Sequence, residues 1–179
     1  DPSYHIAVIS TFYEMYNLAL SNKIEEKLPS GYVERLRKAC GFVRDIMYPD
    51  YSLENFNDTR SLGWTKSVLK KNFTKYATLF PDDGTFQWMA NEGSKGTAPT
   101  GTYQSYPHSG WHIFRSGWTA SDQMLILKNN YNDFGWWHCQ PDNGTISLYR
   151  NGRHFLPDAG VYTYGGSAED NDWREQFQS

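Results

Sequence analysis

From Tyr4 to about Asn22 the apolar positions fall at helical spacing, with Val8, Ile9, Phe12, Met15, Tyr16 and Ala19 recurring along one side. Pro2-Ser3 ahead of them predicts a helix start, with Ser3 as the capping residue. Pro29-Ser-Gly31 interrupts the pattern. A second one runs from Tyr32 to Met47, where Val33, Leu36, Cys40, Val43 and Met47 form a stripe that Ala39 and Ile46 widen. Pro49 stops it, since proline lacks the N–H that a helix interior needs. A polar stretch, Tyr51 to Thr59, leads to a third helix over about Leu62 to Leu79, carrying Val68, Leu69, Phe73 and Tyr76. Stripes this broad belong to helices packed on one another, as in bundles and α/α toroids.

At Phe80-Pro-Asp-Asp-Gly84 the pattern changes. Residues 91–101 are rich in Gly, Thr and Pro without a period and predict a flexible connection. Beyond them the period becomes two or irregular, in Trp111–Arg115 and Met124–Leu127. Asp142-Asn-Gly144 and Asn151-Gly152 are hairpin signals, and the runs Ile146–Tyr149 and Arg153–Leu156 beside them read as short strands. Turn residues every eight to twelve positions match the spacing of a β-sandwich. Helices followed by strands predict an α+β chain. The expected division is helices over 1–85, a connection over 86–108 and antiparallel strands over 109–179.

Composition narrows the classes. Seventeen Lys and Arg against 20 Asp and Glu give a net charge of -3, which carries no nucleic-acid signal. Aromatic residues at 17% suit a large core or a saccharide groove. Cys40 and Cys139 fit no metal or redox spacing and read as free thiols. No apolar run is long enough to span a bilayer, so no membrane partner is expected. No signal peptide is visible. The abrupt opening at Asp1-Pro-Ser-Tyr-His5 reads as an internal piece of a larger protein.

The candidate chemistry centres on His138, set between Trp136-Trp137 and a tight turn. Gln140 shares its side of an extended segment, and Asp158 follows the next hairpin. An oxygen from Gln140 and the Asp158 carboxylate would make half of a divalent-metal site, although an aspartate capping the turn before Gly160 explains Asp158 equally well. Tyr4, beside His5, needs no role beyond a packed ring, and turn formation accounts for Asn57-Asp58. Arg150, Arg153 and His154 suit sulfate or carboxylate groups, or a solvated hairpin.

Three stretches together resemble the heparinase II/III superfamily: Trp136-Trp-His-Cys-Gln-Pro-Asp-Asn-Gly144, Phe155-Leu-Pro-Asp-Ala-Gly160 and Arg115-Ser-Gly-Trp118. They look most like its heparinase III branch, the heparan-sulfate lyases of polysaccharide lyase family 12. Asp1-Pro-Ser-Tyr-His5 resembles the segment carrying that family's catalytic tyrosine. The resemblance implies the end of an incomplete α/α toroid followed by the first strands of an antiparallel β-sandwich, the rest of both lying outside this chain. It implies cleavage of heparan sulfate, or a related acidic polysaccharide, by β-elimination in the periplasm. Tyr4 and His138 would be catalytic, and Trp137, Arg150, Arg153 and His154 would contact substrate. Gln140 and Asp158 would help to hold a structural divalent cation, calcium or zinc. The family's toroid asparagine and a further metal-site histidine match no position here.

Such a lyase removes the proton at C5 of a uronic acid and expels the sugar oxygen at C4. Donors that neutralise the neighbouring carboxylate stabilise the developing enolate, which suits a histidine. A phenolate takes the proton, and the phenol returns one to the leaving oxygen. Two other readings remain: a non-catalytic carbohydrate-binding module, and a lyase for another uronate polymer such as alginate.

Overall fold

The computed structural model describes residues 1–59, 64–129, 142–160 and 166–170. Helices come first: α1 (Pro2–Asn22), α2 (Tyr32–Ile46), α3 (Lys66–Leu79) and a short α4 (Gly84–Ala90). The strands follow: β1 (Tyr103–Tyr106), β2 (Trp111–Arg115), β3 (Met124–Lys128), β4 (Thr145–Arg150) and β5 (Arg153–His154). They form one antiparallel sheet in sequential order. The α+β expectation holds. Among the described residues no helix is long and apolar enough to cross a membrane.

Local chemistry sets the helix boundaries, with one correction. The cap of α1 is Asp1, whose side chain accepts from Tyr4 N at 3.1 Å, and Pro2 takes the first helical position, where a missing N–H costs nothing. The Ser3 hydroxyl instead accepts from Trp64 Nε1 at 2.9 Å, tying α1 to the residues ahead of α3. Thr65 caps α3 and Asp83 caps α4. α4 runs across the expected boundary between the helices (1–85) and the connection (86–108), because Phe86 and Met89 bury themselves against α3 and extend the helical layer.

The sheet alternates cleanly. Trp111, Ile113, Met124, Ile126 and Tyr149 point inward and share one core with Leu36, Val43, Ile46, Leu69 and Phe73 of the helices. Trp111 lies edge-on to Phe42 of α2 at 5.7 Å and to Phe56 at 5.1 Å. The opposite face carries Phe114, Leu125 and Leu148 in one cross-strand row and His112, Leu127 and Ile146 in another. Phe114 and Ile146 of these rows are exposed.

Arg115 ends β2 beneath the C-terminus of α2. Its Nη2 donates to the carbonyls of Asp45 at 2.7 Å and Met47 at 2.6 Å, and the guanidinium stacks 4.0 Å from the Trp118 ring. Trp118 Nε1 donates in turn to Gly101 O, and Gly117 has no room for a Cβ, which would sit 2.5 Å from Asp122. Within Arg115-Ser-Gly-Trp118, Arg115 joins the sheet to α2 while Ser116 and Trp118 bond within the sheet's own loops.

One reading of the turns holds and one changes. Asn151 and Gly152, both at positive φ, do form a two-residue hairpin between β4 and β5. Asp142-Asn-Gly144 instead closes a long connection, since β4 pairs with β3 and Lys128 faces Thr145. Gly144 N donates to Lys128 O at 2.8 Å.

Candidate active site

The stretch from Tyr48 to Thr59, of which Tyr51 to Thr59 is expected to be a polar loop, is buried between the helices and the sheet. Tyr51, Leu53, Phe56 and Thr59 are covered, and so are the polar residues Glu54, Asn57 and Asp58. Tyr51 donates through its hydroxyl to Met89 O at 2.7 Å. Apolar and aromatic residues alternating with carboxylates in a loop are the sequence signal for such a hub, and reading it as polar missed it.

Tyr4 stands on the first turn of α1 with its side chain 44% exposed. His5 beside it turns inward, Nε2 meeting Ala39 O at 2.9 Å. Burial lowers the His5 pKa against the opposing effect of that hydrogen bond, so His5 is a tie between α1 and α2.

A chain of contacts runs from Tyr4 to the sheet. Tyr4 N donates to Asp1 Oδ1, and Thr59 Oγ1 donates to the same oxygen at 2.9 Å. Two residues earlier, Asn57 N donates to Asp142 Oδ2 at 2.5 Å, from a left-handed backbone with φ 59°. Asn57-Asp58 thus does more than turn the chain. Trp137, His138 and Gln140 lie outside the described residues, as does Cys139. His138 precedes Asp142 by 142 − 138 = 4 positions. The contact chain links the first turn of α1 to Asp142, far along the sequence.

Glu54 is the densest node. Its Oε2 accepts from Tyr48 Oη at 2.7 Å and from Ser147 Oγ of β4. Its Oε1 accepts from Asn55 N at 3.1 Å and from Asp158 N at 2.9 Å. Burial, and then the Glu54 charge, push the Tyr48 hydroxyl well above the ordinary tyrosine value.

Asp158 is buried at 6% exposure. Its Oδ1 accepts from Gly160 N at 2.7 Å, while Oδ2 is buried and has no hydrogen-bond partner among the described residues. Burial pushes its pKa up to about 6; the Gly160 N–H opposes this, and nearby Asp142 and Glu54 add to it. The turn-capping expectation is thus met, by the Oδ1 contact with Gly160 N. Gly160, at φ 73°, seats this turn so tightly that a Cβ would lie 2.8 Å from Thr59 O. Asp142 Oδ1 is buried and lacks a hydrogen-bond partner in the same way. Among the described residues no group of three or more His, Cys, Asp or Glu side chains is placed to hold a metal ion. Asp158 Oδ2 nevertheless fits a hard cation: it is an oxygen donor, buried and already immobilised.

The hairpin residues separate by face. Arg150 and Arg153 oppose each other across the turn, while Tyr149 and His154 pair on the inner face. His154 Nε2 lies 3.1 Å from both Asp50 Oδ2 and Ser52 Oγ, with its ring edge-on to Tyr48 at 4.6 Å. Asp50 raises the His154 pKa. His154 therefore ties sheet to hub. Cys40 is free and buried, its thiol pushed up to about 12 by burial.

Comparison with known proteins places this geometry. Heparinase II/III N-terminus matches residues 1–88, and Heparinase II/III-like, C-terminal matches residues 98–179. The chain is 39% identical to the heparin-sulfate lyase of Bacteroides thetaiotaomicron, over 98% of this chain and 27% of that protein. It is 34% identical to the heparin-sulfate lyase of Pedobacter heparinus, over 93% of this chain and 25% of that one. The crystal structure of heparan sulfate lyase HepC from Pedobacter heparinus superposes with a TM-score of 0.88 at 32% identity, over 97% of this chain and 27% of that chain. A crystal structure of heparinase III gives 0.84 at 38% identity, over 97% and 29%. The chain spans about a quarter of the length of the curated relatives it matches.

Proposed function

Because this chain belongs to the heparinase II/III family, we propose that it carries catalytic residues of a polysaccharide lyase that cleaves heparan sulfate by β-elimination. The observation that carries this reading is the contact chain joining the turn of Tyr4, through Asp1, Thr59 and Asn57, to Asp142. It supports a reading in which the helical side and the segment ahead of β4 both contribute groups to the reaction.

In this mechanism Tyr4 takes the C5 proton of the uronate and returns a proton to the C4 oxygen as that bond breaks. His138 donates to the uronate carboxylate, so that charge developing at C5 spreads into a neutralised group. Trp137 offers a flat apolar wall to the sugar. Arg150 and Arg153 meet anionic groups only at the hairpin tip, while His154 acts mainly through Asp50. Asp158 and Gln140 would hold a divalent cation, which would supply structural charge at that place.

The four helices are the closing helices of an α/α toroid, and the sheet is one layer of a β-sandwich. Val8, Phe12, Met15 and Leu18 of α1 are exposed beside an apolar groove of about 510 Å³, and the outer sheet face is equally apolar. Surfaces of this kind are expected to be covered by further helices and strands.

The test is Tyr4→Phe in protein containing this chain, assayed by absorbance of the unsaturated uronate released from heparan sulfate. Turnover is expected to fall at least about 10²-fold with substrate binding largely kept. Near-normal turnover would sink the mechanism. Binding of heparan sulfate without any product from the unmodified protein would restore the binding-module reading, and faster cleavage of alginate would reassign the substrate.

A further inference from the structure

We infer that Glu54 and Asn55 are positioning residues for cation binding: from the helical side of the molecule they hold the Asp158 backbone so that one carboxylate oxygen stays free and fixed. This rests on the proposed cation role of Asp158. The two residues take the two backbone groups of Asp158 between them. Glu54 Oε1 accepts its N–H at 2.9 Å, and Asn55 Nδ2 donates to its carbonyl at 3.3 Å. Gly160 N occupies Oδ1. Of the polar atoms of Asp158, only buried Oδ2 is left without a hydrogen-bond partner among the described residues.

Glu54 can do this because its other oxygen is anchored independently. Tyr48 at the end of α2 and Ser147 of β4 both donate to Oε2. The carboxylate is therefore immobile before any ion arrives. Immobilising a ligand in its bound conformation lowers the entropic cost of binding. Groups that hold a ligand in this way typically change metal affinity about 10- to 100-fold when removed. The coupling is reciprocal: an ion on Oδ2 strengthens the grip of the Tyr48–Thr59 hub on the sheet.

Calcium is the probe, since oxygen donors suit a hard cation. Calcium chloride is titrated calorimetrically into chelator-treated protein containing this chain, and the thermal midpoint is read with and without the ion. Glu54→Ala and Asn55→Ala are expected to weaken calcium binding tenfold or more and to shrink its effect on the midpoint. Glu54→Gln keeps an acceptor for the Asp158 N–H, and its amide can donate to the two hydroxyls, so it should bind near the parent level. Tyr48→Phe and Ser147→Ala each remove one anchor of Oε2. They should lower the midpoint yet leave calcium affinity within about threefold, which a merely structural role for Glu54 would not separate. Asn55→Ala removes a single half-buried contact and decides the matter if Glu54→Ala does not fold. Loss of binding in Asp158→Ala alongside intact binding in Glu54→Ala or Asn55→Ala overturns the inference alone. Intact binding in Asp158→Ala removes the cation role and the inference together.

Discussion

Asp50 and His154 illustrate how one residue pair sets a pH window. Burial works against the Asp50 carboxylate, but hydrogen bonds from His154 and Ser52 outweigh it and hold the group below its ordinary value of 3.8. The same contact raises His154 above 6.5. The histidine contribution to stability is complete below 6.5 and lost as pH rises through the raised folded value. The aspartate contribution is complete above 3.8 and lost as pH falls through the depressed one. The midpoint difference between unmodified protein and Asp50→Asn should therefore be largest between pH 3.8 and 6.5 and shrink on both sides. Solvent reaches both side chains, which keeps the effect below about 1 kcal/mol. A difference that grows steadily from pH 6.5 to 9 would contradict the pairing. His154 was legible in sequence only as a cation on a hairpin; its partner lies 104 positions away and leaves no local trace.

The C-terminus of α2 shows the same dependence at the scale of an element. Its last carbonyls have no partners within the helix, and no glycine cap follows; Met47 is extended. Arg115 supplies the missing donors from β2. Burial pushes the pKa of this guanidinium down to about 10, with Asp45 opposing the shift. Arg115→Ala leaves two buried carbonyls unpaired and should cost about 3 kcal/mol, read as a lower urea midpoint. A loss below about 0.5 kcal/mol would show that water reaches those carbonyls. The helix itself was readable from its stripe, with Leu36, Cys40, Val43 and Ile46 all buried. Its cap was not, because a cap supplied by another element follows no spacing rule.

Across the whole molecule, helices and sheet share one core, and Phe56 sits where they meet, fully buried against Trp111. Phe56→Ala should cost about 4 kcal/mol through lost burial and the cavity left behind. Amides of α2 and of β3 should then lose hydrogen-exchange protection together. Faster exchange in β3 with α2 unchanged would mean that the two layers open independently.

The determinants that the sequence carries by itself are short-range. Period near 3.6 placed α1, α2 and α3, period two placed β2, β3 and β4, and Asn151-Gly152 placed a hairpin whose residues both need positive φ. Each depends on residues a few positions apart, so each can be read along the chain. The tertiary structure alone decided which apolar faces are covered. It buried Ile6 and Ile9 of α1 while leaving Val8, Phe12 and Met15 exposed. It likewise turned Asp142 from a turn signal into the acceptor for Asn57, and Glu54 from a loop residue into the anchor of Asp158. Those contacts join residues 85 and 104 positions apart. A hydrogen bond is set by a few ångströms in space, and at such separations only the packing of helices against sheet supplies that proximity.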